Sequence, residues 1–456
     1  MERHPDSATG SRSLWQVLGH GNDLSPRFPS RYQPGHGGGD PSHYWPSPSL
    51  SQLWRILFAA EPDGGGDLAQ HIPFRGGEKP VRVLIAAGGT GGHLFPALAI
   101  ARSLRRRDPE MQIHFAVSGI GREEEWLEGE GIPAHRIAVK GLKGKRADQL
   151  VLSLASLPRA LMQCWHLLSL LAPQVVVGLG GYVSGPLLLL STAKGIPTLI
   201  HEQNAFPGLA NRIAAPFVRH IAYSFPGSER HFRVKRVKMT CTGMPIRREI
   251  TQGSRGEAAL RFGLDPERFT VLCFGGSQGA RKINLSLLES LSHLMPLQRE
   301  LQFLHVSGQI EFETVASGYS SFPFPARIFP FVRDMASAYA LADLVVCRAG
   351  ASTIAELAAC GKPSILIPYP HAANDHQRRN AEALAGIGGA FLLPDEELNG
   401  SRLAGLIEQC YRDPEGRRIM GMKAGSFARV DADERVAELV LSLIREGERS
   451  KEELPC

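Results

Sequence analysis

VRVLIAAGGTGGHLFPALAIA, residues 81–101, decides how the rest of the chain is read. Val81, Val83, Leu84, Ile85 and Ala86 form a short apolar run rich in β-branched residues, the pattern of a strand buried on both faces of a parallel sheet. Gly88, Gly89, Gly91 and Gly92 strip side chains from the turn that follows, and an amphipathic helix is expected after it, with Pro96 in its first turn. A glycine turn feeding a helix N-terminus presents bare N–H groups and the helix dipole to an anion. Alone the signal is weak: the dinucleotide spacing GxGxxG is not met, since Leu94 stands where the third glycine would be.

The same unit returns as FTVLCFGGSQGA, residues 269–280, an apolar strand ending in Gly275, Gly276, Ser277 and Gly279 and predicting a helix from about Ile283. Between the two lie QVVVGL (174–179), GGYVSGP (180–186), PTLIHEQN (197–204) and two shorter strands near residues 220–224 and 238–242. After the second come strands at 302–307, 326–329, 343–347 and 363–369, a helix over 352–359, the block HAANDHQRRN (371–380) and a last long helix near 433–445. Alternating strands and helices predict an α/β protein with parallel sheets. Two glycine-turn units in two such blocks predict two Rossmann-like domains, 80–243 and 244–446, facing across a cleft. Residues 447–456 are read as a tail.

Composition narrows the field. Of the first 79 residues, 12 are glycine and 9 proline, so this segment is read as a poorly ordered extension with at most one short helix near 50–60. The net charge of +6 suits anionic ligands or a membrane surface but is no nucleic-acid signature. Seven scattered cysteines with no CxxC pair suggest neither a zinc site nor a disulfide framework, which fits a reducing compartment. No secretory signal is apparent. The most apolar long stretch, 150–172, is interrupted by Pro158, Arg159 and His166 and is not read as a transmembrane helix.

Together GGTGGH, GGYVSGP, HEQN, GGSQGA and the 348–380 block resemble the MurG family, in that order and over residues 81–445. The resemblance implies a GT-B fold and an inverting transfer of N-acetylglucosamine from UDP-N-acetylglucosamine to the 4-hydroxyl of lipid I, giving lipid II in peptidoglycan synthesis. No cofactor, no nucleic-acid partner and no required bound metal are expected, since loop dipoles can stabilise the diphosphate leaving group. The resemblance also implies a peripheral seat on the cytoplasmic side of the cell inner membrane. By resemblance Thr90, Gly91 and Gly92 lie at the donor site, Asn204 and Gln377 meet the donor sugar, and Arg247 reaches the donor. Ser277 and the helix start Ala351, Ser352, Thr353, Ile354, Ala355 meet the diphosphate, Glu356 the ribose, and the Val332 backbone the uracil.

Each assignment has a plainer rival. His93 is a candidate general base, since an imidazole suits proton removal near neutral pH, or a helix-entry residue. Glu356 follows Thr353 at capping-box spacing. HEQN can be strand-end capping. Lys140, Lys143, Lys145 and Arg146 form either a solvated loop or a membrane-facing one. Asp431-x-Asp433 matches a metal-holding string but reads as a helix start. Other functions stay open: a GT-B transferase with another acceptor, a nucleotide-sugar epimerase, or a non-catalytic nucleotide-binding scaffold.

Overall fold

A computed structural model of the chain describes residues 80–88, 91–118, 123–139, 157–276 and 278–452. The glycine-rich extension, Gly89, Thr90, Ser277 and the basic loop from Lys140 to Arg146 lie outside the described residues.

The first lobe opens with β1 (Arg82–Ala86), the helix α1 (Gly91–Arg107), β2 (Gln112–Val117), α2 (Glu123–Gly129) and β3 (Ala134–Arg136). It continues through α3 (Leu157–Leu171), β4 (Val175–Gly178), α4 (Gly181–Ala193), β5 (Thr198–Glu202), α5 (Leu209–Ala214), β6 (His220–Tyr223) and β7 (Lys238–Cys241). The sheet order is β3-β2-β1-β4-β5-β6-β7, with all pairs parallel. Strand alternation sorts its core. Val83 and Ile85 pack toward α1, while Leu84 and Ala86 pack toward α3 and α4. Each such buried Val, Leu or Ile contributes about 1.5–3 kcal/mol relative to exposure.

The second lobe repeats the plan. It runs α6 (Arg255–Phe262), β8 (Phe269–Phe274), α7 (Arg281–Leu294), β9 (Leu301–Val306), α8 (Phe312–Tyr319), β10 (Ala326–Phe329), α9 (Met335–Leu341) and β11 (Leu344–Cys347). Then follow α10 (Ala351–Ala359), β12 (Ser364–Leu366), α11 (His376–Gly386), β13 (Phe391–Leu392), α12 (Gly400–Arg412) and α13 (Pro414–Phe427). Its order, β10-β9-β8-β11-β12-β13, is the first lobe's permutation again without a seventh strand. In both lobes the order reverses beside the first strand, between β1 and β4 and between β8 and β11. Ligands of open α/β sheets bind beyond the strand C-termini at such reversals.

Three expectations change. The last helix, α14 (Ala432–Glu452), returns to the first lobe, where Val436, Ala437, Val440, Leu443 and Ile444 join the core of β1 and α1. Its apolar stripe showed in the sequence; its partner did not. Secondly, α1 begins at Gly91, so Pro96 falls in the second turn, where it cannot donate to the Gly92 carbonyl. Pro186 takes the same place in α4. Thirdly, α10 begins at Ala351 with Gly350 as its N-cap, so Thr353 is inside the helix and forms no capping box with Glu356.

Candidate functional site

The first lobe's reversal is built by the ends of β1, β4 and β5. Gly181 sits at φ 77°, and a Cβ there would lie 2.3 Å from the Gly88 carbonyl oxygen, so the two turns touch backbone to backbone. Gly91 and Gly92 are exposed at the start of α1, and His93 follows them, half-buried in the same turn. His93 Nδ1 lies 2.9 Å from Gln203 Oε1. Burial lowers the His93 pKa below its usual value, while Gln203, the Glu202 carboxylate and the Leu179 carbonyl pull it back up.

HEQN divides by strand periodicity. His201 and Gln203 turn to one face, toward His93, and Glu202 and Asn204 to the other. Glu202 is buried and takes four hydrogen bonds: from Asn204 N (2.9 Å), Asn204 Nδ2 (3.2 Å), Gly208 N (3.0 Å) and Asn211 Nδ2 (2.8 Å). It pins the loop after β5. Of this tetrad, the family resemblance assigns a donor contact only to Asn204.

In the second lobe, the N-terminus of α10 has no side-chain cap. The Ser352 hydroxyl in its first turn is buried and, among the described residues, has no hydrogen-bond partner. Four first-turn N–H groups of any helix need partners from outside it. Ala351, Thr353, Ile354 and Ala355 complete this turn and the next. Glu356, 16% exposed, accepts a hydrogen bond from the Tyr339 hydroxyl (3.0 Å) and lies 3.8 Å from Arg247 Nη2. Burial raises the Glu356 pKa, opposed by Arg247 and Tyr339. Arg247 also stands over the Phe95 ring of the first lobe. Val332 is buried in the loop after β10. Gln377, in the first turn of α11, accepts from the Tyr369 N–H (3.0 Å).

Asn380 joins the two halves. It is fully buried on α11, donating to the Ala349 carbonyl just before α10 (3.3 Å) and to Asn204 Oδ1 across the cleft (3.1 Å). Its own Oδ1 accepts from Ala205 N (2.8 Å). Arg379 stacks over Phe206, and His376 faces His93 from α11. His93, Asn204, Arg247, Glu356 and Gln377 therefore border one cleft. Asn380, Gln203, His201 and Tyr339 had not been selected from the sequence. Their signal was present only in part, as polar residues at strand ends or in helices beside the glycine turns.

The acidic string has another use. Asp431 binds Arg435 (2.8 Å), and the buried Asp433 accepts from Arg106 (2.6 Å) and from Arg248 (3.4 Å), which also pairs with Glu434. Asp433 thus holds the returning helix against α1 and the segment that enters the second lobe.

Two parallel sheets with matching reversals, facing across such a cleft, are the GT-B architecture, which glycosyltransferases share with other nucleotide-sugar enzymes. Residues 83–223 match the glycosyltransferase family 28 N-terminal domain, and residues 270–436 its C-terminal domain. The chain belongs to the MurG family within that class. It is 42% identical over 365 residues to the UDP-N-acetylglucosamine–N-acetylmuramyl-(pentapeptide) pyrophosphoryl-undecaprenol N-acetylglucosamine transferase of Thermodesulfovibrio yellowstonii, covering 80% of this chain and 99% of that one. The Myxococcus xanthus protein of the same name is 41% identical over 377 residues, covering 82% of this chain and 97% of that one. The crystal structure of Acinetobacter baumannii MurG superposes with a TM-score of 0.65 at 30% identity, over 80% of this chain and 100% of that one. The UDP-GlcNAc 2-epimerase of Neisseria meningitidis, at 13% identity and a TM-score of 0.59 over 79% of this chain and all of that one, shares the fold alone.

Proposed function

We propose that this chain transfers N-acetylglucosamine, with inversion, from UDP-N-acetylglucosamine to the 4-hydroxyl of the N-acetylmuramoyl group on undecaprenyl diphosphate, converting lipid I to lipid II. The observation that carries this reading is Asn380, whose side chain ties the start of α10 to Asn204 of the opposite lobe. An anion-seeking helix end and a histidine then border one gap. The names of the relatives supply the donor and acceptor.

The chemistry follows from the two sides. The acceptor oxygen attacks the anomeric carbon as its bond to the diphosphate oxygen breaks. His93 takes the hydroxyl proton. UDP leaves with its new charge against the uncapped N–H groups of α10, the Ser352 hydroxyl and the Gly275 to Gly279 turn. Thr90, Gly91, Gly92 and Ser277 would complete the diphosphate and sugar contacts. Glu356, held by Tyr339, presents a carboxylate to the ribose hydroxyls. Gln377 spends its oxygen on Tyr369, so a sugar would meet its NH2 end. The Val332 backbone is left for the uracil edge.

A lipid acceptor calls for a seat at a membrane. No helix among the described residues is long and apolar enough to cross one. A peripheral seat on the cytoplasmic face of the inner membrane is supported by α3 and α5, which flank α4 and expose Trp165 (51%), Leu170 (65%) and Leu209 (57%), with Phe217 (54%) exposed in the turn just past α5. Lys194 stands over Trp165, a cation beside the apolar face.

The deciding experiment gives purified protein labelled UDP-N-acetylglucosamine and a lipid I analogue. A disaccharide-lipid product is expected. No transfer with both substrates bound would overturn the proposal, and UDP-N-acetylmannosamine formed without acceptor would favour an epimerase. Cosedimentation with anionic vesicles, reduced by Leu170→Asp, tests the membrane seat.

A further inference from the structure

We propose that Gln203 and His201 are positioning residues that hold His93 in its Nδ1–H tautomer and anchor that state to the crossing between the lobes, leaving Nε2 as the nitrogen that receives the acceptor's proton. The proposal rests on His93 as the base and adds what selects its proton.

Hydrogen-bond logic fixes each atom in the chain. Gln203 Nε2 lies 2.7 Å from the His201 carbonyl oxygen, which can only accept, so this end of the amide is the donor. The other end, Oε1, therefore faces His93 Nδ1 and can only accept. A neutral ring has one N–H, and Gln203 Oε1 at 2.9 Å claims it for Nδ1, with the Leu179 carbonyl a further acceptor beside the ring; the lone pair is then on Nε2. Gln203 Nε2 also points at His201 Nδ1 (3.2 Å), which accepts, so His201 Nε2–H donates to the Gly243 carbonyl (3.1 Å). His201 and Gln203 are buried, and burial pushes the His201 pKa down to about 4, so the ring stays neutral and keeps accepting at neutral pH.

Gly243 is where the chain leaves the first lobe: Met244 and Ile246 already belong to the second lobe's core. It sits at φ 84°, and a Cβ there would lie 2.3 Å from Arg429 Cβ on the returning crossing. The chain of bonds thus starts at the joint between lobes and ends at the base. The charged or titratable groups facing His93 are Glu202 and His201 on β5 and His376 on α11. A neutral amide, unlike a carboxylate, orients the ring without adding a full charge. When Nε2 takes the proton, the Nδ1–H stays on Gln203 Oε1, and Nε2 later releases its proton to water.

The test is a long-range proton–nitrogen correlation spectrum of histidine-labelled protein, with the His93 signals assigned through His93→Gln. The wild type is expected to show His93 as Nδ1–H, although free imidazole side chains favour Nε2–H. In Gln203→Met, nearly the same size, the ring should revert toward Nε2–H. Its kcat should fall about 10- to 100-fold, part of what general-base catalysis supplies. Its UDP-N-acetylglucosamine Kd should stay within about twofold, since the bond lost is not a donor contact. His201→Phe, which spares the carbonyl anchor, should cost about 3- to 10-fold in kcat, the worth of one hydrogen bond. Wild-type His93 as Nε2–H, an unchanged tautomer in Gln203→Met, or equal losses of donor affinity and turnover would each overturn the proposal. Should the wild type transfer no sugar at all, the functional reading fails, while the wild-type spectrum still decides the tautomer by itself.

Discussion

The two lobes share one strand permutation and put their reversals to different uses. The first fills the ground beside β1 and β4 with a titratable ring held by an amide, His93 on Gln203. The second leaves the end of β11 to an uncapped helix, a bare hydroxyl at Ser352 and a carboxylate–arginine pair at Glu356 and Arg247. In the proposed reaction one arrangement handles a proton and the other a charged leaving group. The backbone supplies a place in both; the side chains at a handful of positions decide the chemistry. Both lobes also bury a neutral histidine in a strand, His201 on β5 and His305 on β9, but only His201 belongs to the chain of bonds that ends at His93.

That division can be broken by mutation. His93→Ala should lower kcat about 10²- to 10⁴-fold with donor affinity nearly unchanged, the range expected for a lost general base. Calorimetric titration with UDP-N-acetylglucosamine separates the two quantities, and an equal loss in both would erase the contrast between lobes. Because burial lowers the His93 pKa, kcat/KM should stay flat as pH falls to about 6.5, the ordinary histidine value, and decline only below it.

Acid sharpens the likeness. The folded pKa values of His201 and His305, about 4 and about 3, lie below the unfolded value of 6.5. Unfolded chain therefore binds protons that the fold refuses. Stability is intact above pH 6.5 and is lost as pH falls toward 4, by about 3 kcal/mol for each group at the acid end of that window. Urea midpoints measured across pH should show this slope, and His305→Gln should flatten it in the second lobe.

Glu356→Gln should weaken donor binding about 10-fold or more, since a hydrogen bond to a charged group is worth roughly 1.5–3 kcal/mol. The same change should raise the thermal midpoint of the free protein at neutral pH, because burial disfavours the ionised carboxyl. A variant that binds UDP-N-acetylglucosamine normally would remove Glu356 from the ribose. The smallest effect is expected for Asp433→Asn. Its arginines are partly exposed, so about 1–2 kcal/mol should be lost, less than the 3–5 of a fully buried pair. A second unfolding transition in that variant would show that the returning helix is what makes the lobes melt together.

Much of this was legible along the chain. Apolar runs ending in glycine announced both first strands, and their repetition announced two lobes. His93 stood out at the mouth of the first glycine turn, whereas Glu356 and Gln377 came from the family resemblance alone. Other features were not legible. Thr353 and Glu356 had capping-box spacing, yet the helix began two residues before Thr353. Gln203 was in plain view within HEQN, but its role depends on a ring 110 residues away. Asn380 matters through Asn204, 176 residues away.

The sequence by itself determined the elements, the parallel sheets and the glycine turns, because strand burial, helix periodicity and backbone freedom are local properties of neighbouring residues. Only the tertiary structure decided that the last helix returns to the first lobe, that Asn380 latches the cleft and that Gln203 chooses the proton on His93. Those outcomes depend on which distant side chain meets a buried donor or acceptor, and a hydrogen bond taken out of water has to be matched by a partner that no local pattern names.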